Sequence, residues 1–378
     1  VDAASRRTVD LVSNHDCPRS ELMHVGTSTF FQNRNQTRTD YEVYQNELHL
    51  ADLAEPLGFE SIWGVEHHFT DYTMCPDVLQ FLSYMAGRTE KVQLGSMVVV
   101  LPWHDPMRVA EQFSVLDHLS GGRAIVGVGR GLARVEYDAF KLDMAESRIR
   151  FSESTQLLVR ALEEGVAEFD GELIKQPRVD IRPKPFKSFK GRTYAAAVSP
   201  ESSVALAELG LGMLIIPQKP WKDVETELKA YREIFQEMNG AAPPAPIVVG
   251  FTFCHEDEDK AREMAAEYIG NYWGSVMDHY EFHSDHLKTT KGYEYYGKFT
   301  EKIEQLGDQD VKDFFVDLQV WGTPDQCYEK IMDIRGRTGH DSFLAAFSYG
   351  GLPYDEAERS MRLFAKEVMP RLKKLPAA

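Results

Sequence analysis

A (β/α)8 barrel is the fold this sequence predicts, and three observations predict it. Eight β-prone runs are each followed by a helical stretch. The third run, VQLGSMVVVL at residues 92–101, is almost wholly apolar, as a strand buried on both faces must be. No composition break wide enough for a linker divides the 378 residues, and a single α/β barrel commonly exceeds about 250 residues. A doubly wound parallel sheet is the rival arrangement.

Residues 1–22 are polar and aperiodic, lack the apolar core of a signal peptide, and read as an extension ahead of Met23. The barrel domain is expected over residues 23–372. Its first strand is the β-prone run 25–31. A helix follows over 41–57, with Leu48, Leu50, Leu53, Ala54 and Leu57 at helical spacing and Gly58 as its stop. FESIWGV (59–65) is the second strand, and its helix (77–87) starts after Pro76, a residue at home in a first turn. The apolar third strand precedes a helix over 107–119 that Gly121-Gly122 terminates. Residues 124–128 form the fourth strand, with helices over 136–142 and 148–164. Residues 168–192, rich in Pro, Lys and Arg, read as a loop or a small β excursion. The fifth to eighth strands are read at 194–198, 212–216, 247–254 and 342–347. The later helices are read at 200–209, 221–238, 257–268, 325–336 and 355–372. Residues 270–320 break the rhythm; they are polar and aromatic and form an insertion expected over the C-terminal face of the barrel.

Composition narrows the function classes. The net charge of −17 opposes non-specific binding to nucleic acid or to an anionic membrane, because both need a basic surface. No run of 18 apolar residues is present. Cys17, Cys75, Cys254 and Cys327 are scattered without zinc-ligand spacing, which fits a reducing cytoplasm better than a disulfide scaffold.

Barrels of this type work at the C-terminal ends of their strands. There the sequence places Glu66-His67-His68 after the second strand, His104 after the third, Gly129-Arg130-Gly131 after the fourth, and Ser199 to Ser203 after the fifth. Adjacent side chains on extended backbone point oppositely, so His67 and His68 are poorly placed to share one metal ion, and no metal site is expected. Acid–base chemistry, hydrogen-bond donation and a structural role all remain open for them. A glycine-flanked arginine brings a guanidinium close to an anion, though the same glycines also suit a plain tight turn. Serines at a helix start serve either as caps or as part of a phosphate seat.

FESIWGVEHHF and VQLGSMVVVLPWHDPMRVAEQFSVLDHLSGGRAIVGVGRGL together resemble the bacterial luciferase-like flavin-dependent monooxygenases, most of all the light-emitting subunit. SPESSVALAELGLGML, WGTPDQCYEKI and RLFAKEVMPRL extend the resemblance over roughly residues 23–372. It implies FMN, bound as FMNH2 and supplied by a separate flavin reductase. It also implies O2 activation through a flavin C4a-(hydro)peroxide and oxygenation of a small or medium hydrophobic organic substrate such as an aldehyde, ketone or aromatic. The deazaflavin F420 is the rival cofactor, and a non-catalytic flavin-binding partner subunit is a second alternative. The resemblance assigns His67 as acid–base catalyst with His68 as its supporting neighbour, and it assigns Arg130, Ser199 and Ser202 to the cofactor phosphate. Ser96, Met97 and Val98 would lie under the flavin ring, with a cis peptide between Met97 and Val98. Trp273, Tyr293 and Tyr296 are candidate pocket walls on a lid, or else simple packing of the insertion. Gly129 stands where the light-emitting subunit has a reactive cysteine, which speaks against light emission. A homodimer is expected through the helices at 77–87 and 107–119, with Phe81, Met85, Phe113 and Leu116 as contacts.

Overall fold

The computed structural model describes residues 22–196 and 200–377, so the reading of residues 1–22 lies outside the described chain apart from Leu22. Strands, numbered in chain order, are β1 (His24–Thr29), β2 (Ser61–Gly64), β3 (Gln93–Ser96), β4 (Val99–Val100), β5 (Ala124–Gly129), β6 (Val166–Asp170), β7 (Lys175–Asp180), β8 (Thr193–Ala196), β9 (Gly212–Ile215), β10 (Ile247–Cys254), β11 (Val320–Gly322) and β12 (Ser342–Ala346). Parallel pairing runs β12-β1-β2-β3-β5-β8-β9-β10, and β10 returns to β12, which closes the barrel. The eight sequence-read strands are these eight. Closure leaves no free edge, and full burial explains why β5 and β10 carry no polar alternation.

The helices are α1 (Asp40–Leu57), α2 (Val78–Ala86), α3 (Pro106–Ser120), α4 (Arg134–Phe140), α5 (Ser147–Glu164), α6 (Pro200–Glu208), α7 (Trp221–Asn239), α8 (Glu258–Met264), α9 (Gly270–His279), α10 (His286–Thr289), α11 (Glu294–Leu306), α12 (Asp308–Leu318), α13 (Pro324–Thr338) and α14 (Tyr354–Glu367). Their ends follow local chemistry. Thr39 with Glu42 and Thr323 with Gln326 form capping boxes on α1 and α13. Asp105 caps α3 ahead of Pro106, and Gly121 ends that helix in the left-handed conformation.

Four differences from the sequence reading have physical causes. The third strand is split into β3 and β4, on either side of a cis peptide between Met97 and Val98. The helix read at 355–372 breaks at Val368, because Pro370 lacks the N–H that a continuous helix needs. The helix read at 257–268 instead passes through a π-turn (Ala265–Ile269) into α9, so the insertion grows out of the helix that follows β10. β11 was not read from the sequence; three residues pairing with Thr252–Cys254 are too few to show a period. The segment 168–192 does contain a β excursion, the β6–β7 hairpin.

Among the described residues no helix is long and apolar enough to cross a membrane. Phe81, Met85, Phe113 and Leu116 are at most 7% exposed and belong to this chain's own core. The Phe81 ring lies against Gly64 of β2, where an added Cβ would come within 2.8 Å of it. The sequence-read dimer contacts are therefore corrected: these four hold the helix layer to the barrel, each worth about 2 kcal/mol of apolar burial.

Candidate active site

Residues after β2 enter the barrel mouth with almost no exposed surface: Glu66, His67 and His68 are 2%, 9% and 8% exposed. The two imidazoles diverge, as consecutive extended residues must. His67 faces α4 and the insertion, whereas His68 faces the loop after β4.

His67 Nδ1 lies 3.1 Å from Glu136 Oε1. The same oxygen accepts the His68 backbone N–H at 2.7 Å, and His279 Nε2 approaches it to 3.6 Å. Burial would raise the Glu136 carboxyl, but the facing imidazoles of His67 and His279 outweigh it and hold the group at about 2. An ionised carboxylate only accepts hydrogen bonds, so His67 Nδ1 carries a proton, and in the neutral imidazole the lone pair is on Nε2. Tyr280 directs its hydroxyl at that Nε2 from 3.3 Å. Tyr72 stacks on His279 with centroids 4.4 Å apart, and His279 Nδ1 contacts Thr70 Oγ1 at 3.0 Å.

A second group lies behind it. Glu66 Oε1 takes His68 Nε2 at 3.0 Å and His104 Nε2 at 2.6 Å, while Glu66 Oε2 accepts the Val100 N–H at 3.1 Å. Burial opposes the charge on Glu66, yet the hydrogen bonds from His104 and His68 bring its carboxyl below the usual range. His104 is pulled down by burial and pushed up more strongly by Glu66, ending above its ordinary value. Phe69, Trp103 and Phe140 surround the His68 ring at centroid distances of 5.5, 5.3 and 4.8 Å. Each group places its three ligand-type atoms within 4.8 Å of one another, a clustering of one carboxylate with two histidines that the divergence of His67 and His68 did not foretell.

Arg130 leaves the end of β5 and lies on the same rim. Its neighbour on α4, Tyr137, donates its hydroxyl to the Arg130 carbonyl at 2.5 Å, and Glu136 is one residue away. Arg130 Nη1 donates to the Gly292 carbonyl at 2.6 Å, and Arg148 Nη2 donates to the same oxygen at 3.0 Å. The Arg130 guanidinium also lies 4.1 Å over the Tyr293 ring, whose hydroxyl donates to Gly131 at 2.9 Å.

Close approach by a backbone carbonyl at one position and a side-chain methyl at the other fixes two glycines here. A Cβ on Gly127 would come within 1.9 Å of the Ser96 carbonyl, and one on Gly129 within 2.4 Å of Val98 Cγ2. Ser96 is buried, donating to Gly127 O at 2.7 Å and accepting Gly127 N–H at 2.9 Å. Met97 is buried and Val98 half-buried. Ser199 lies outside the described residues. Ser202 is half-buried in the first turn of α6, beside Ser203, which is 3% exposed with an unpaired Oγ.

The structure thus brings His67, His68 and Arg130 to one mouth. Of the aromatic wall candidates, Tyr293 reaches the rim, Tyr296 packs half-buried against Phe282, and Trp273 stacks on Phe315 inside the insertion. Sequence reasoning missed Glu136, His279, Tyr280 and Arg148. Glu136 and Arg148 lay inside the helical stretches read there, and nothing in their spacing marked them.

The family model for luciferase-like monooxygenases matches residues 23–341. The alkanal monooxygenase alpha chain of Photorhabdus laumondii is 28% identical over 336 residues, covering 88% of this chain and 93% of that protein. The monooxygenase RslO1 from Streptomyces bottropensis superposes with a TM-score of 0.78 at 26% identity, over 92% of this chain and 99% of that one. Two further structures share the fold. The oxygenating constituent of Pseudomonas putida 3,6-diketocamphane monooxygenase, solved with FMN, has a TM-score of 0.71 at 18% identity, over 94% and 100% of the two chains. The F420-dependent tetrahydromethanopterin reductase of Methanopyrus kandleri has a TM-score of 0.65 at 20% identity, over 93% and 100%. With the family match spanning most of a barrel whose mouth holds a carboxylate-anchored histidine, this chain belongs to the luciferase-like monooxygenase family and is an oxygenase by that membership.

Proposed function

We propose that the protein is a flavin-dependent monooxygenase that takes FMNH2 and O2 and oxygenates a small or medium hydrophobic organic substrate. The observation that carries this is the His67–Glu136 pair at the barrel mouth, on the same rim as Arg130. FMN fits the donor set. Two guanidiniums, Arg130 and Arg148, already converge on one oxygen, and Ser203 holds a buried unpaired hydroxyl in the first turn of a helix on the adjacent strand's loop. Arg130 and Arg148, with Ser199, Ser202 and Ser203, would hold the phosphate; Met97 and Val98 would lie at the ring. When bound, reduced flavin supplies the electrons that activate O2.

This chain's residues supply the rest. Glu136 keeps His67 in one tautomer, so Nε2 is the atom that takes or returns a proton at the mouth. Tyr72 of the loop after β2 and Tyr272 and Tyr280 of the insertion wall the same space, and their apolar ring faces keep water out. His68 serves through its backbone N–H to Glu136, and its ring braces Glu66. A separate reductase, a homodimer and cytoplasmic residence belong to this reading.

The test pairs binding with product analysis. FMN is expected to bind at least about tenfold more tightly than riboflavin, a preference that Arg130→Ala abolishes. With FMNH2 and 18O2, a panel of aldehydes, ketones and aromatics is expected to yield labelled product. Tight F420 binding with no FMN or FMNH2 binding would overturn the proposal.

A further inference from the structure

Two residues of the insertion reach the acid–base group: His279, beside Glu136 and against the His67 ring, and Tyr280, whose hydroxyl meets His67 Nε2. Tyr280 ends α9, 213 residues from His67 in sequence, and its O–H faces His67 Nε2 at 3.3 Å. We infer that Tyr280 is a positioning residue for His67, the third member of a Glu136–His67–Tyr280 row whose last member arrives only when the insertion is seated on the barrel. The inference rests on the reading of His67 as the acid–base group.

Each contact in the row follows from the one before. The Glu136 carboxylate accepts from Nδ1, which leaves the Nε2 lone pair facing the Tyr280 hydroxyl. Desolvation holds the Tyr280 phenol well above its ordinary value, so it remains a donor. The ionisable groups around the imidazole are Glu136, His279, Tyr72 and Tyr280, with Tyr72 tied to Tyr272 by a 2.7 Å hydroxyl contact. The flanking residues set where the phenol stands. His279 before it contacts Thr70 at 3.0 Å, and Glu281 after it, at φ 52°, pairs with Arg134 of α4 at 3.0 Å. Both anchors lie on the barrel rim, so the position of the insertion determines whether Nε2 is held or free. The 3.3 Å separation suits a contact that tightens in the working complex.

A packing role and a positioning role separate at Tyr280→Phe, which keeps the ring and removes the hydroxyl. In flavin-free protein labelled with 15N-histidine, the His67 Nε2 resonance is expected to move in Tyr280→Phe and to stay in place in Tyr328→Phe, a change on the outer helix layer. Arg134→Ala, which frees the residue next to Tyr280, is expected to move the same resonance less. In the loaded enzyme Tyr280→Phe is expected to lower kcat by about tenfold or more with little change in KM. An unmoved Nε2 resonance in Tyr280→Phe overturns the inference, whatever turnover does. If FMNH2 fails to bind, the proposed function falls while the resonance still decides this contact.

Discussion

Two groups of the same make-up, one glutamate between two histidines, lie back to back at one barrel mouth. In the first, Glu136 joins His67 and His279. In the second, Glu66 joins His68 and His104. Their chemistry is alike and their surroundings are not. The Glu136 group is walled by Tyr72 from the loop after β2 and Tyr280 from the insertion, and Nε2 of His67 faces the Tyr280 phenol. In the Glu66 group an aromatic box surrounds His68, and the Nε2 atoms of both histidines and the Val100 backbone N–H are committed to the one carboxylate. The comparison teaches that residue type at a strand end does not assign a role; what the remaining nitrogen faces does.

The sharpest way to break that contrast is to exchange the two histidines' losses. His67→Ala is expected to lower turnover about a thousandfold while flavin binding, followed by fluorescence quenching, changes little. His68→Ala is expected to leave turnover per folded molecule within about tenfold of the parent and instead to cost about 2 kcal/mol in urea unfolding, because it takes one of two imidazoles from a buried carboxylate and empties the aromatic box around the ring. Equal activity losses in the two variants would erase the distinction. Glu66→Gln comes next, with about 2 kcal/mol lost, since two imidazoles lose their shared charged acceptor.

The pH dependence separates the groups more finely. Glu66 lies below its ordinary value of 4.5, so its contribution is present above that pH and fades as acid protonates it. His104 lies above 6.5, so its contribution is full below 6.5 and is lost as pH rises through the raised value. The Glu66 group therefore stabilises most between about 4.5 and 6.5. In the other group Glu136, at about 2, keeps its contribution down to lower pH. His279, which burial holds below 6.5, makes that group weaken as pH falls below 6.5. His104→Gln is expected to cost more stability at pH 5.5 than at pH 8.5, and His279→Gln to lessen the parent's loss on going from pH 7 to pH 5.5; thermal unfolding at those pH values reads both. The smallest effect is expected from Arg134→Ala. Its ion pair with Glu281 is 44% and 32% exposed and should be worth under about 1 kcal/mol, so Tm should hardly move.

Much of this molecule was readable before any contact was known. The eight barrel strands were visible as β-prone runs each followed by a helical stretch, the third of them almost wholly apolar, and helix ends were visible in Gly58 and Gly121. His67, His68 and Arg130 were singled out as candidates because a strand end in a barrel is a working position and these residues follow strands directly. The cis Met97–Val98 peptide came from resemblance alone. Phe81, Met85, Phe113 and Leu116 show the converse failure: an apolar stripe on a helix does not say whether it faces its own barrel or another chain, and here it faces the barrel.

What the sequence by itself determined is local: which segments extend or coil, where they stop, which family they spell, and that His67 and His68 must diverge. What only the tertiary structure decided is the company those residues keep. Glu136 is 69 residues from His67 and Tyr280 is 213. Arg148 shares the Gly292 carbonyl with Arg130 across a gap of 144 residues. Contacts at such separations leave no periodicity behind, because they are made by the closure of the barrel and the seating of the insertion rather than by the spacing of residues along either segment.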